Sequence, residues 1–431
     1  MYSISRISAT DADELAGLLG AGLGRRALLR ASVGAAAVGG LATGAGGFAP
    51  PAQATGPRSG KNFQILQPGA GKRPGRYVPA KAQEVSWGFL PNRASEPVAA
   101  VGSGAVVTLD TVSHEGILED QGQDPREFFA GYGVAEPQVL QDAVDVAAHS
   151  THAGPGPHVV TGPVYVHDAE PGDVLKVDVL RIALRVPYGV ISNREGKGAL
   201  PGEYPEAFRG VPEYAPYLNQ GGNVSVFASV DKGRGVLPGE VPVGFELAPF
   251  MGVMGVARDT GVLVDSVPPT DAGGNIDIKD LTVGSTLYLP VQVPGALFFS
   301  GDPHMVQGNG EVALTAMEGS LRTTFRLTLI KAGSRGAPSV AFGYPFAETP
   351  DHWIPIGLSD PDGPENGGNA TSLDIAMKTA VRHALSFLTD DVGMAGPVAY
   401  AYLSAAADFA CSQVVDRTTG IHCLIRKADL G

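Results

Sequence analysis

Cysteine is almost missing from this chain of 431 residues: there are two, Cys411 and Cys423. Both fall in a C-terminal stretch where Asp416-Arg417-Thr418-Thr419-Gly420 reads as a turn between two short strands. They stand far from the glycine- and histidine-rich segments, so a cysteine nucleophile is unsupported. Two readings stay open for the pair, a bridge across the hairpin in an oxidising compartment or two free, partly buried thiols. The G-x-S-x-G elbow of serine hydrolases and the H-E-x-x-H helix of zinc proteases are missing as well. Any hydrolysis by this chain therefore needs an activated water, which a metal supplies by lowering the water's pKa towards about 7, with a carboxylate to carry the proton.

Basic side chains are in the minority, 31 Lys and Arg against 44 Asp and Glu, for a net charge of −13. That balance favours solubility and argues against phosphate-backbone binding, which needs clustered cations, so no nucleic-acid partner is expected. Long hydrophobic runs are lacking too. The apolar stretch 31–41 is too short, and too rich in Gly and Ala, to span a bilayer of about 30 Å as a helix. It follows a polar leader, 1–24, and the pair Arg25-Arg26, and it precedes Ala52-Gln53-Ala54, an A-x-A cleavage pattern. Residues 1–54 are thus expected to be a removable export signal of the twin-arginine type, delivering a periplasmic or extracellular protein with no stable membrane insertion after signal removal. The alternative is a disordered leader retained in the cell. Removing the segment takes away four basic and three acidic residues and moves the net charge from −13 to −14.

Glycine and proline are abundant, 59 and 34, and spread along the chain. Many turns between short elements point to a sheet-rich fold. Residues 106–109, 175–179 and 325–329 have the period-two alternation of half-buried strands. Residues 55–97 are expected to form an extended N-terminal arm and 98–431 the main domain. Within that domain, an insertion at 115–150 contains a helical stretch at 139–148, and 194–222 has no sustained period, as in a surface excursion or lid. Near the end, Thr371 as N-cap with Asp374 three residues later opens a helix whose stripe of Leu373, Met377, Ala380, Val381, Ala384, Phe387 and Leu388 belongs to the core. A second helix is expected over 397–409. No tandem repeat is present.

Nine histidines are available, of which His383, inside the helix, and His422, in the hairpin, read as structural. The informative segment is 300–312. It follows an apolar strand, 296–299, precedes another that ends at Glu318, and concentrates Asp302, His304, Gln307 and Glu311 in one glycine-rich turn. Glycines there allow a ligand to approach the backbone closely. A carboxylate and an imidazole two residues apart can converge on one ion, and the alternative is a hydrogen-bonded turn.

Several further segments accompany this one in order: 158–166 (His158-Val159-Val160-Thr161-Gly162-Pro163 onward), 169–175, 249–257 (Pro249-Phe250-Met251-Gly252 onward), Gly273-Gly274-Asn275-Ile276-Asp277, Leu289-Pro290-Val291 and 295–298. With 301–318 they resemble the acetamidase/formamidase family over residues 98–427. The resemblance implies a mainly β fold with added α/β elements, a jelly-roll-like β-sandwich core with C-terminal helices, assembled as a homo-oligomer. It implies hydrolysis of a small amide substrate to carboxylic acid and ammonia. It also implies a site in which Asp110, His158 and His304 hold a divalent metal such as zinc, Glu311 or Glu318 handles the proton, and Asp302 orients His304. Asn275, Asp277, Gln307 and His114 are expected to bind substrate. Two departures bear on which amide is used: Asn309 stands where the family commonly has Asp, and the 115–150 insertion follows Ser113-His114-Glu115-Gly116 beside the site. Alternatives on the same scaffold are a hydrolase of a cyclic amide or ester, and an exported protein that binds an amide or a metal without turnover.

Overall fold

The computed structural model describes residues 63–360 and 371–430. The expected export segment, 1–54, and the start of the expected arm, 55–62, lie outside the described residues. Strand makes up 34% and helix 20% of the described residues, as the dense glycine and proline punctuation anticipates.

Two large sheets carry the fold. The nine-stranded sheet runs, in spatial order, through Arg76–Val78, Ala105–Asp110, Leu321–Ile330, Val174–Leu184, Thr286–Pro290, Phe346–Glu348, His352–Leu358, Gly420–Arg426 and Asp408–Gln413. The eleven-stranded sheet is built around Phe298–Val306, which is flanked by Phe250–Gly255, Val159–Val166 and Met317–Glu318. The three alternating stretches read from the sequence fall in Ala105–Asp110, Val174–Leu184 and Leu321–Ile330. Their buried side chains (Val107, Leu109, Val177, Phe325) share one core with Val164, Met251, Met254 and Phe298 of the other sheet. Phe298 and Phe325 meet edge to face across it at 5.3 Å between ring centres. This makes the two sheets a sandwich.

Residues 76–101, much of the expected arm, do not stand apart. Arg76–Val78 pairs in parallel with Ala105–Asp110, and Ser86–Trp87 and Ala99–Val101 pair with Val159–Val166. Backbone donors that an isolated arm would leave to water are satisfied here inside both sheets.

The terminal helices are Leu373–Ser386, whose cap is Ser372 rather than Thr371, and Gly396–Ala406. The Ser372 hydroxyl accepts from the Ile375 amide. Ala376 and Ala380 are buried with Ile421 of the strand Gly420–Arg426, and a Cβ on Gly357 would run into the Ala380 backbone. Small residues on both sides thus let helix and sheet approach closely. The hairpin at the C-terminus forms, but Cys411 faces Ile421 and Cys423 faces Phe409. The thiols are not cross-strand partners, and both are free. No helix among the described residues is long and apolar enough to cross a membrane.

Candidate active site

The strand Phe298–Val306 organises the site. Residues two apart on a strand share a face. Asp302 and His304, although Asp302 departs from extended geometry with φ 52°, meet at 2.9 Å between Oδ2 and Nε2. Glu318 is the cross-strand partner of His304, with its Oε1 3.0 Å from the same nitrogen. The expected turn is therefore part strand: Asp302 and His304 lie on it, and only Gln307 and Glu311 belong to the loop that follows.

The other carboxylate oxygen of Asp302 faces two more imidazoles. His114 Nδ1, from the loop after Ala105–Asp110, is 3.6 Å away, and His158 Nε2, just before Val159–Val166, is 3.7 Å away. His158 Nδ1 lies 3.0 Å from the Ser266 carbonyl. A carbonyl only accepts, so this contact places the proton on Nδ1 and leaves the Nε2 lone pair facing Asp302. Behind His304, Gln307 donates from Nε2 to the carbonyls of Asp277 and Ser412, which turns its Oε1 towards His304 Nδ1 at 3.0 Å.

Room for this convergence comes from Gly252. A Cβ there would run into Asp302 Oδ2 and stand 2.5 Å from Asp277 Oδ1 and 2.8 Å from His304 Cε1. Three site carboxylates also hold left-handed backbone: Asp277 (φ 48°), Asp302 (φ 52°) and Glu311 (φ 47°). Such conformations cost about 1–3 kcal/mol each and persist where the surroundings impose them.

Burial and mutual charge set the protonation states. Burial opposes a charge on Asp302, but the His304 and His158 rings hold its pKa below the usual carboxylate range. Burial likewise opposes a charge on His304, yet Asp302 and Glu318 raise its pKa well above the ordinary value. His158 is pushed down to about 4, chiefly by burial. Burial pushes Glu318 up to about 7, and raises Glu311 and Asp277 well above the carboxylate norm. Asp416 is raised to about 7 for the same first reason.

Three buried groups bring donor atoms close enough to hold a metal ion: His114, His158 and Asp302; Asp302, His304 and Glu318; and Asp277, His304 and Glu311. His114 Nδ1, Asp302 Oδ1 and Glu318 Oε2 are buried without a hydrogen-bond partner in the protein, while His114 Nε2 faces Glu115 Oε1 at 3.2 Å. Buried polar atoms are rarely left this way without a further ligand. Two imidazoles with one carboxylate is a donor set that suits zinc and its neighbours. Donors about 2 Å from one tetrahedral ion stand roughly 3.3 Å apart, close to the 3.6 and 3.7 Å seen around Asp302 Oδ1.

His114, His158, Asn275, Asp302, Glu311 and Glu318 line one cavity of about 840 Å³. Asp277 and Gln307, expected at the substrate, are not among its lining residues and brace His304 from behind. Asn275 Nδ2 is committed to the Val267 carbonyl at 2.9 Å. Asp110, expected at the metal, is elsewhere. Its carboxylate accepts from Arg322 Nη2 at 2.8 Å and from the Tyr77 hydroxyl at 2.6 Å, with Arg185 Nη2 3.6 Å away. Surrounded by those donors, it serves a buried ion-pair cluster and offers nothing to an ion at His158. Sequence reading also passed over Gly252, Ser266, Asp416 and the buried Glu115, which meets Arg194 Nη2 at 3.2 Å and the Ser192 hydroxyl at 2.6 Å. Their partners lie far away in the chain, so the segments that hold them did not mark them as site residues.

Converging buried imidazoles and carboxylates at the wall of a large cavity, on a two-sheet scaffold, define a protein equipped for acid–base or metal chemistry on a small molecule. The family model described as "Acetamidase/Formamidase family" matches residues 140–265 and 263–425, and the chain belongs to that family of amide hydrolases. It is similar to an acetamidase of Mycolicibacterium smegmatis, 28% identical over 62% of this chain and 78% of the relative. A formamidase of Methylophilus methylotrophus is 29% identical over 58% and 70%. Among solved structures, an acetamidase from Yersinia enterocolitica superposes with TM-score 0.62 at 23% identity, over 85% of this chain and 96% of that one. One from Bacillus halodurans does so with TM-score 0.60 at 23%, over 82% and 98%. At those identities the structural likeness concerns the fold alone.

Proposed function

We propose that this protein hydrolyses a linear carboxamide to the acid and ammonia, with His114, His158 and Asp302 holding a divalent ion, zinc by donor chemistry, and Glu318 moving the proton. The observation that carries this reading is the set of buried, unpartnered donors on Asp302, His114 and Glu318 facing one cavity. A bound zinc ion would supply Lewis acidity, bringing a water's pKa towards about 7. His158, kept neutral by burial and tied to Ser266, presents its lone pair without first losing a proton. Asp302, kept ionised, balances the ion and His304 together. Glu318, with its pKa at about 7, is suited to accept a proton from water and return it to the departing amine at neutral pH. His304, held protonated between Asp302 and Glu318, fixes the position of the Glu318 carboxylate.

The test is ammonia release by the variants Glu318→Gln and His158→Ala. Loss of a positioned proton carrier is expected to lower kcat by about 10²–10⁴-fold in Glu318→Gln with the fold retained. His158→Ala should also lose bound zinc. Wild-type turnover in both folded variants would sink the assignment. The paired arginines and A-x-A motif support a place outside the cytoplasm. Replacing Arg25 and Arg26 by Lys is expected to leave the protein in the cytoplasmic fraction, and undiminished export of that variant would contradict an arginine-dependent signal.

A further inference from the structure

The cavity wall carries charges of both signs. Asp302, Glu311, Glu318 and Asp416 belong to the acidic centre described above. Three cations, Arg194, Lys197 and Arg417, line the same cavity. Two of these are neutralised locally. Arg194 faces Glu115 at 3.2 Å and Asp120 at 3.1 Å, and Arg417 is paired with Asp265. The remaining acid on this wall, Glu119, is taken up by His152 at 2.8 Å. Among the described residues Lys197 has no ion pair and no side-chain hydrogen bond. Its backbone amide is tied to the Arg194 carbonyl at 3.1 Å, which anchors the residue at the wall while the ammonium stays free. Burial, together with the charges of Arg194 and Arg417, lowers its pKa against the opposing pull of Asp120 and Asp265. An anion at this spot would relieve that repulsion.

Size and lining point the same way. A cavity of about 840 Å³ belongs with pockets that enclose drug-sized ligands, far more than a one- or two-carbon amide fills. The wall also carries apolar side chains, among them Leu118, Pro155, Pro157, Val267 and Leu314. A molecule complementary to this cavity has an apolar body and one anionic group, placed at Lys197 and not beside the carboxylates of Asp302 and Glu318.

Resting on the amide-hydrolase reading above, we infer that Lys197 is a specificity residue that binds a distal carboxylate of the substrate. The substrate class is then the mono-amide of a linear dicarboxylic acid, its carboxamide at the Asp302–Glu318 end. The bond broken is the amide C–N bond: water gives its oxygen with one proton to the acyl carbon, forming the acid, and its other proton to the leaving nitrogen, which departs as ammonia, and the distal carboxylate takes no part.

The experiment compares kcat/KM for succinamate, glutaramate and adipamate with that for their neutral methyl esters, monitored by ammonia release. It uses the wild type, Lys197→Met and Lys197→Arg, alongside calorimetric binding of adipate, which needs no turnover. A charge-assisted contact is expected to favour the acid over its ester by about 10- to 100-fold in the wild type. Lys197→Met should bring that ratio close to one and abolish adipate binding, and Lys197→Arg should keep most of both. Amide turnover with the same acid-to-ester ratio in wild type and Lys197→Met overturns the anion subsite and leaves the amidase reading standing. Lys197-dependent adipate binding without turnover of any amide supports the subsite and overturns the amidase reading instead.

Discussion

Single residues decide whether the acidic centre can close. Gly252 contributes no functional group, yet its missing Cβ is the space that Asp302 Oδ2, Asp277 Oδ1 and His304 Cε1 share. Gly252→Ala is expected to fold and to lose about 100-fold or more in kcat/KM, since displacement of catalytic groups by about 1 Å costs that much. Circular dichroism beside ammonia release checks this, and an active Gly252→Ala would mean that the convergence is not needed. Asp110 gives the opposite case. Removing a buried charge that holds Arg322 costs about 3–5 kcal/mol, so Asp110→Asn should lower the melting temperature sharply and leave the zinc content of the folded fraction intact. Zinc loss without destabilisation would return Asp110 to the metal. Asp302, His304, Glu311 and Glu318 were legible because they crowd into eighteen consecutive positions, 301–318, among glycines. Asp110 was misplaced because an acid at a strand end looks the same whether it meets an ion or an arginine 212 residues away. The supporting roles of Ser266, Asp416 and Glu115 were not legible, because what makes them matter is burial beside distant partners.

At the scale of elements, the strand Phe298–Val306 shows how tertiary contacts override local preference. Gly301, Asp302 and Pro303 are turn formers, so their run reads as a turn. In the sandwich, Gly301 instead sits opposite Val160, so close to the neighbouring strand that a Cβ would stand 2.7 Å from the Val159 carbonyl oxygen. Pairing on both sides holds the segment in the sheet. Gly301→Val is therefore expected to destabilise the protein by more than about 2 kcal/mol through overpacking against backbone, measurable as a drop in the urea midpoint. An unchanged midpoint would show that the two strands have slack. Strands and helices with a clear period were read within a few residues, as in Gln141–His149 against the expected 139–148. What the rest of segment 115–150 does was not legible: Leu118, Glu119 and Asp120 form part of the cavity wall, and Glu115 holds Arg194. Those contacts join segments more than seventy residues apart, which no periodicity encodes.

For the whole molecule, acidic charge, sheet-rich composition and the ordered family segments were all visible in the chain, and the two sheets assemble around the site that those segments mark. Asp277 and Gln307, expected at the substrate, are not among the residues lining the cavity, whereas Asp302, Glu311 and Glu318 are. The acidic centre itself would repel an anionic substrate group placed next to it, and a divalent ion reverses that local field. On the proposed reading, activity should depend on a bound divalent ion. The most direct measurement is ammonia release from linear amides by the protein spanning residues 55–431, before and after chelation and again after zinc is restored. Release that is abolished by the chelator, with the fold intact, and recovered with zinc is the predicted result. Turnover that persists undiminished in protein shown to be free of metal would contradict the account at its centre.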